Sequence, residues 1–598
     1  MTPINSFNRA IVRPLIFMLT GLMLLSSCSD FLDVEPSDII IGRKYWKEKS
    51  DVDNVVAGCY SGLQKQECIE RMMIWGEFRS ENIMASTNAA DNASLSNILK
   101  ENINSSNAYT TWNSFYKVIN DCNMVVEKAP DVAKLDPSFS QSEMKATIAE
   151  VSAIRDLCYF YLIRSFRDVP YTTTAFESDD QQLALPATPF NQVLDSLIDD
   201  LESVQNNAVI TYPKSKLYYQ VGRVTQNAIH AMLCEMYLWK GDYAASVRYA
   251  DLVIDAMTRA YQEELNSKTY SSSDDEMIDG YPLIRNNMGN TYGVAYEDIF
   301  GMGNSRESIF ELIYMESESA LHNTAVSTFY GNSTTYPGLV QPSTFLSGDI
   351  TLDKPKVFLS KYDARYYESI EKSSSNSYGI AKYATRSVSI QPVGTNVEAS
   401  YGSHYSSSFC TANWILYRLT DVMLMKAEAL VCMAPDDEND ATANKHLRDS
   451  LLRAAYSIVN TINRRSDCNT IHTDIDYTTY ASKTQMLNLV YDERERELMF
   501  EGKRWYDLVR RSLRDGNTKY LISKVTQKGS DNASVLQSKL AKMDALFWPY
   551  NKEELKVNPY LKQNPAYNDL DNGSSTLTKL RGTRSMITIP EYDKDKAI

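Results

Sequence analysis

Glu493-Arg494-Glu495-Arg496-Glu497 alternates carboxylate and guanidinium, the densest set of chemically capable side chains in the chain. Acid/base catalysis of glycoside cleavage needs one carboxyl held protonated and a second placed across a cleft from it. On a helix, Glu493 and Glu497 lie one turn apart among arginines, which pair with them and keep both ionised. The run therefore reads as structural ion pairing, and no catalytic residue is expected. Other candidates fade on spacing. Gly301-Met302-Gly303-Asn304-Ser305-Arg306 places Arg306 where a dinucleotide loop needs its third glycine. The histidines at 230, 322, 404, 446 and 472 form no H-E-x-x-H pattern, so neither a metal nor a cofactor is expected.

Cys28 carries a different chemistry. Arg9 and Arg13 precede an apolar run, Leu15 to Leu25, that is well short of the ~20 residues of a spanning helix. It has the proportions of a secretory h-region. Leu25-Ser26-Ser27-Cys28 resembles the bacterial lipobox, in which the peptidase cuts before a cysteine that is then lipidated. Residues 1–27 read as a lipoprotein signal peptide and Cys28 as the attachment point. Several acyl chains hold firmly, since each buried CH₂ contributes ~0.8 kcal/mol and one chain anchors only marginally. The acidic Ser29-Asp30-Phe31-Leu32-Asp33-Val34-Glu35 behind it resembles a surface-export signal, with a solvated linker as the alternative.

Elements that position side chains are mostly helices. Phe190, Val193, Leu194, Leu197, Ile198 and Leu201 recur at one-sided helical spacing, as do Trp112, Phe115, Ile119, Cys122 and Val126. From Lys145 to Phe166 the stripe widens until the helix is apolar nearly all round, which predicts a central helix ending before Pro170. A helical hairpin is legible at 225–256, with Gly241 ending one helix, Asp242 capping the next, and small Ala244 and Ala245 at the turn. Such pairs bury their faces only by stacking. Two long polar stretches interrupt the helices, about 84–109 and 267–347, the second broken by a strand-like Ile309–Ile313. Their aromatics argue against disorder, which is aromatic-poor.

Bulk properties exclude some partners. A net charge of -15 disfavours nucleic acid and anionic lipid surfaces. The eight cysteines beyond Cys28 show no zinc spacing and read as small buried hydrophobes. Tyr outnumbers Phe 39 to 18, which suits a wet binding surface.

Five blocks carry a family resemblance: AEVSAIRDLCYFYLIRSFRDVPY (149–171), the hairpin, NWILYRLTDVMLMKAEAL (413–430), ERERELMFEGKRWYDLVRR (493–511) and LFWPYNKEELKVNPYLKQNPAY (546–567). Together, in this order, they resemble the SusD/RagB nutrient-binding lipoproteins. The resemblance implies a mainly α fold: a right-handed superhelix of tetratricopeptide-like helix pairs under a loop-rich, minor-β binding face. It divides the mature chain into an N-terminal region, 28–345, and a C-terminal region, 346–598. It also implies an outer-membrane lipoprotein that captures oligosaccharides for a SusC-like TonB-dependent transporter. A peptide-binding lid and a surface glycoside hydrolase are the alternatives.

The family's ligand loops map to about Asn82–Tyr109 and Tyr292–Tyr336. Within them, chemistry selects Tyr292, Tyr296 and Tyr330 as stacking platforms. Asn82, Asn104 and Asn107 are the candidate partners for sugar hydroxyls. Trp75, in the half-buried-looking MMIWGEF, is a weaker site candidate, and Trp505 and Trp548 read as core. No reading attaches to the tail after Tyr567.

Overall fold

Where apolar side chains recur every three or four residues, the chain is helical. The computed structural model describes residues 45–177, 181–216, 218–268, 276–317, 321–331, 338–351, 356–373, 377–406, 408–438, 442–469, 473–529 and 533–567. The signal peptide, Cys28, Tyr336 and the C-terminal tail lie outside them.

Helix Gln141–Phe166 shows how the sequence writes its own limits. Ser140 and Glu143 form a reciprocal capping box at its start. Every residue from Ala149 to Phe166 is buried, as the all-round apolar pattern requires. Arg167 then leaves the helix with φ 69°, ahead of Pro170. The charges inside this helix are paired: Arg164 meets Glu235 at 2.6 Å. Helix Phe190–Val204 buries Val193, Leu194, Leu197, Ile198 and Leu201, its expected stripe.

The hairpin forms as read. Helix Gln226–Lys240 starts at the Thr225 cap and ends at Gly241, whose φ of 84° lies in the left-handed region that glycine enters without a Cβ penalty. Asp242 then accepts the Ala245 N–H at 3.0 Å and opens helix Tyr243–Ser267. One detail differs. Ala244 is exposed, and close approach comes instead from buried Ser246, whose hydroxyl donates to the Cys234 carbonyl at 2.9 Å, and buried Ala250. Helix Tyr243–Ser267 packs against both Gln226–Lys240 and Leu419–Met433, so the hairpin joins the two halves of the sequence. Helices Asn113–Leu135 with Gln141–Phe166, and Leu419–Met433 with Thr442–Ser466, pack as further pairs.

Strands are short and confined to the connections. Ser308–Leu312, the strand expected at 309–313, is wholly buried and pairs antiparallel with Trp414–Arg418. Ile83–Ala85 pairs antiparallel with Val340–Pro342. A four-stranded sheet runs in the order Asn396–Tyr401, Val388–Val393, Thr291–Tyr292, Asn287–Met288. One apolar cluster extends from Trp46 to Tyr567 and includes Trp75, Trp505 and Trp548, each fully buried. The Arg79 guanidinium lies 4.1 Å from the Trp505 ring centre and 5.6 Å from that of Trp548. All eight cysteines after Cys28 are free, and all but Cys432 are buried.

Candidate functional site

The alternating run sits on helix Lys483–Leu498, buried from Glu493 to Leu498. Glu493 pairs with Arg365 at 2.6 Å and with Arg496 at 2.7 Å. Arg494 bridges Asp421 and Asp507 at 3.0 and 2.9 Å. Glu495 meets Arg504 at 2.5 Å, and Glu497 meets Arg418 at 2.7 Å as well as Arg465. Burial pushes Glu497 upward, yet Arg465, Arg418 and Arg365 outweigh it and hold the carboxyl well below its usual range. A carboxylate held so far down neither donates nor accepts a proton at neutral pH, whereas burial raises Glu495, which shares Arg504 with Glu81. The run is an internal ion lattice.

A different arrangement forms where the two expected loop regions meet. Pairing of Ile83–Ala85 with Val340–Pro342 brings them side by side. Ser86 donates its hydroxyl to the Gly338 carbonyl at 2.6 Å, and the Ser343 N–H donates to the Asn82 carbonyl at 2.9 Å. At this junction Tyr109 is half-buried, its ring edge-on to Phe329 with centres 6.3 Å apart. The Arg71 guanidinium lies 5.3 Å from its centre, held there by the Ala108 carbonyl at 3.0 Å and the Thr111 hydroxyl at 2.8 Å. Asn92 caps the short helix Ala93–Leu99 through its Oδ1, while its Nδ2 donates to the Tyr109 hydroxyl at 3.0 Å. Burial raises the Tyr109 hydroxyl above its ordinary pKa, so it stays a neutral donor and acceptor. Exposed Thr87, Asn88 and Asp91 border the same loop. The product is a half-open aromatic ring fixed by a guanidinium and an amide. That geometry suits stacking plus hydrogen bonding and offers no acid/base pair.

The residues chosen from sequence fare unevenly here. Tyr296 and Tyr330 are each only 1% exposed, which corrects their assignment as stacking platforms. The Tyr296 hydroxyl donates to the Ala381 carbonyl at 2.8 Å and that of Tyr330 to the Phe500 carbonyl at 3.0 Å. A tyrosine whose hydroxyl finds a carbonyl can be buried whole, and loop position alone does not reveal that. Asn82 is likewise fully buried, with its Nδ2 donating to Glu77 at 3.3 Å. Asn107 is 3% exposed, its amide spent on the Tyr109 N–H and the Ser94 carbonyl. Neither presents an amide to a ligand as arranged. Asn104 stays partly exposed and accepts the Ser106 N–H at 3.0 Å. Tyr292 is half-buried on the four-stranded sheet, opposite Asn287 and Ile390. Among the described residues no hydrogen bond or ring contact joins it to Tyr109. Sequence reasoning missed Tyr109 itself, which closes the first expected loop, together with Arg71 and Asn92. An N-cap asparagine ahead of Ala93–Leu99 is the one local signal that pointed to Asn92.

Comparison with known proteins places the chain in a family. A model described as the SusD family matches residues 327–567, and one described as "Starch-binding associating with outer membrane" matches 30–238. The chain is 25% identical to SusD-like protein P38 of Formosa agariphila over 571 residues, covering 92% of this chain and 98% of the relative. SusD-like protein P25 of the same organism is 22% identical, with 91% and 96% covered. Among solved structures, a SusD superfamily protein of Bacteroides vulgatus superposes with a TM-score of 0.62 at 18% identity, covering 88% of this chain and 100% of that one. A structure titled "Laminarin binding SusD-like protein" gives 0.58 at 18% identity, with 87% and 100% covered. Helix pairs joined through the 226–267 hairpin, a buried arginine–glutamate lattice and two family models spanning most of the described residues lead to one assignment: the chain belongs to the SusD/RagB family.

Proposed function

We propose that this protein captures oligosaccharides at the face built around Tyr109 and hands them to a SusC-like TonB-dependent transporter. In this reading it is tethered to the outer membrane, facing outward, by a lipid on Cys28. SusD-like proteins are carbohydrate-binding and non-catalytic, and this chain is not an enzyme. Support for a glycan comes from the description of the N-terminal model and the laminarin-binding neighbour. The observation that carries the reading is the Tyr109 ring, left half-open between Arg71 and Asn92. A pyranose presents an apolar C–H face to such a ring and a rim of hydroxyls to the flanking guanidinium and amide. Partly exposed Asn104, in the same loop, is an outer member of the proposed surface, and Tyr292 on the four-stranded sheet is a separate candidate. Transport needs a second protein, because a tethered binder cannot itself move a ligand across a membrane.

Glycan-array screening of the mature chain, beside Tyr109→Ala, tests the site. The variant is expected to lose binding to whichever glycan the parent retains, and binding at parental strength would remove Tyr109 from the site. Cys28→Ala is expected to leave the membrane fraction, and mild-detergent extraction is expected to recover a β-barrel transporter with the parent.

A further inference from the structure

Glu70 precedes Arg71 on helix Gln66–Met73, and its carboxylate reaches the guanidinium that lies over the Tyr109 ring. Arg71 Nη1 donates to Glu70 Oε2 at 3.4 Å, between side chains 8% and 15% exposed. Arg71 Nε donates to the Thr111 carbonyl at 3.2 Å, and Nη2 to the Ala108 carbonyl and the Thr111 hydroxyl. A guanidinium has five N–H donors, so one hydrogen on Nη1 is left uncommitted among the described residues. Glu70 accepts otherwise only from the Gln66 amide, at 2.7 Å. A carboxylate has about four lone-pair sites, so the partly exposed Glu70 keeps acceptor capacity.

The charge balance here decides the class of ligand. Among the described residues, Arg71 is the one cation over the Tyr109 ring, and Glu70 offsets it. Burial lowers the pKa of Arg71, and Glu70, then Glu67 of the same helix, pull against that. Burial raises the Tyr109 hydroxyl and Asn92 lowers it; between the two charges, Glu70 acts ahead of Arg71. Exposed Asp91 adds a further carboxylate at the border of the loop. A uronate or sulfate group only accepts hydrogen bonds, and it would meet like charge beside a guanidinium already paired. A sugar hydroxyl both donates and accepts, and Glu70 beside the Nη1 hydrogen offers it one partner of each kind.

We infer that Glu70 sets the specificity of the Tyr109 face. Paired with Arg71, it accepts a sugar hydroxyl and repels anions, so the face takes neutral glycans and excludes those bearing uronate or sulfate. This deepens the reading of Tyr109 as the glycan face and rests on it.

A glycan array probed with the mature chain in detergent tests it. The array carries malto-, laminari-, xylo- and manno-oligosaccharides beside oligogalacturonate, oligoalginate and chondroitin sulfate oligosaccharides. The parent is expected to bind neutral members and no acidic ones. Glu70→Gln keeps the shape of the side chain and removes its charge. It is expected to weaken neutral binding several-fold and to raise the ratio of acidic to neutral binding about tenfold or more at low salt. That rise is expected to shrink in about 0.5 M sodium chloride, where charges are screened; a change in packing alone would not follow salt. A parent that prefers acidic glycans, or binds no neutral one, would overturn the inference even if Glu70→Gln failed to fold. An unchanged ratio in folded Glu70→Gln would overturn it too. Tyr109→Ala separates the two failures. Neutral binding lost there, with a parental ratio in Glu70→Gln, removes Glu70 alone; parental binding in Tyr109→Ala removes the face, and Glu70 with it.

Discussion

The lattice around Glu497 and the face around Tyr109 both use arginine, to opposite ends. Arg418 has a side chain 2% exposed and carboxylates on two sides, Glu497 and Glu501, each at 2.7 Å. Arg71 is held by the Ala108 carbonyl, the Thr111 hydroxyl and a single carboxylate, Glu70 at 3.4 Å, and its guanidinium stands beside a ring that solvent still reaches. Where every charge is matched, arginine fixes the packing of helices. Where one carboxylate and two neutral groups hold it beside a half-open ring, arginine fixes the position of that ring. Charge density along the sequence is therefore a guide to architecture here and a poor guide to the binding surface.

The sharpest way to break this contrast is to remove one charge from the lattice. Arg418→Met leaves Glu497 and Glu501 buried with one cation fewer, which costs about 3–5 kcal/mol when a buried pair loses one partner. Urea unfolding is expected to show that loss, and a midpoint like the parent's would mean the lattice is energetically idle. Leu233→Asp sets a charge on a fully buried helix face and is expected to cost several kcal/mol through desolvation. A parental melting temperature there would refute the packing of the hairpin.

Acid should act on the lattice as a whole. Burial works against the charged form of Glu428, but Arg510 and Arg514 prevail and bring its pKa down to about 2. A carboxyl whose folded pKa is depressed stabilises the fold above its unfolded value of about 4.5, and loses that contribution as pH falls toward 2. For Glu428 alone this is about 3 kcal/mol. Asp421, also brought down to about 2 by Lys503 and Arg494 against its burial, adds to it. Glu77 has the opposite sign: burial raises it to about 7, so its ionisation costs stability as pH climbs from about 4.5 to 7. The urea midpoint is expected to drop steeply between about pH 5 and pH 3. A flat profile there would contradict the assigned pairings.

How much of this was legible in the sequence follows the same division. The helices, the Gly241–Asp242 turn and the end at Arg167 could be read because periodicity and capping are local. That the run is paired could be read from its alternating charges, but only Glu493–Arg496 pairs within one turn, and Arg365, Arg418, Arg465, Arg504, Asp421 and Asp507 come from other segments. Tyr296 and Tyr330 misled because both lie in a long polar stretch while their hydroxyls are satisfied by Ala381 and Phe500, residues 85 and 170 positions away. Tyr109 depends on strand pairing across more than two hundred residues, which no local pattern encodes. Tyr330→Phe checks the correction. It removes one buried hydrogen bond and is expected to cost about 0.5–1.5 kcal/mol while leaving glycan affinity unchanged. A large loss of affinity would return Tyr330 to the site.

The finest probe is Asn92→Asp. In the lattice, altering one charge leaves others buried with one partner fewer. At Asn92, the substitution keeps the oxygen that accepts the Leu95 N–H at 2.9 Å, and aspartate caps a helix about as well as asparagine. Only the Nδ2 donor to the Tyr109 hydroxyl is lost, a bond whose net contribution is about 1 kcal/mol. The hydroxyl can turn and donate to the new carboxylate, so the melting temperature is expected to shift by little. The ring's hydroxyl would then be committed as a donor, and the amide that a sugar hydroxyl would meet would be gone. Glycan affinity is therefore expected to fall a few-fold at nearly constant stability. A fall in melting temperature to match the fall in affinity would show that Asn92 serves folding as the lattice residues do, and the distinction between the two regions would fail at its closest point.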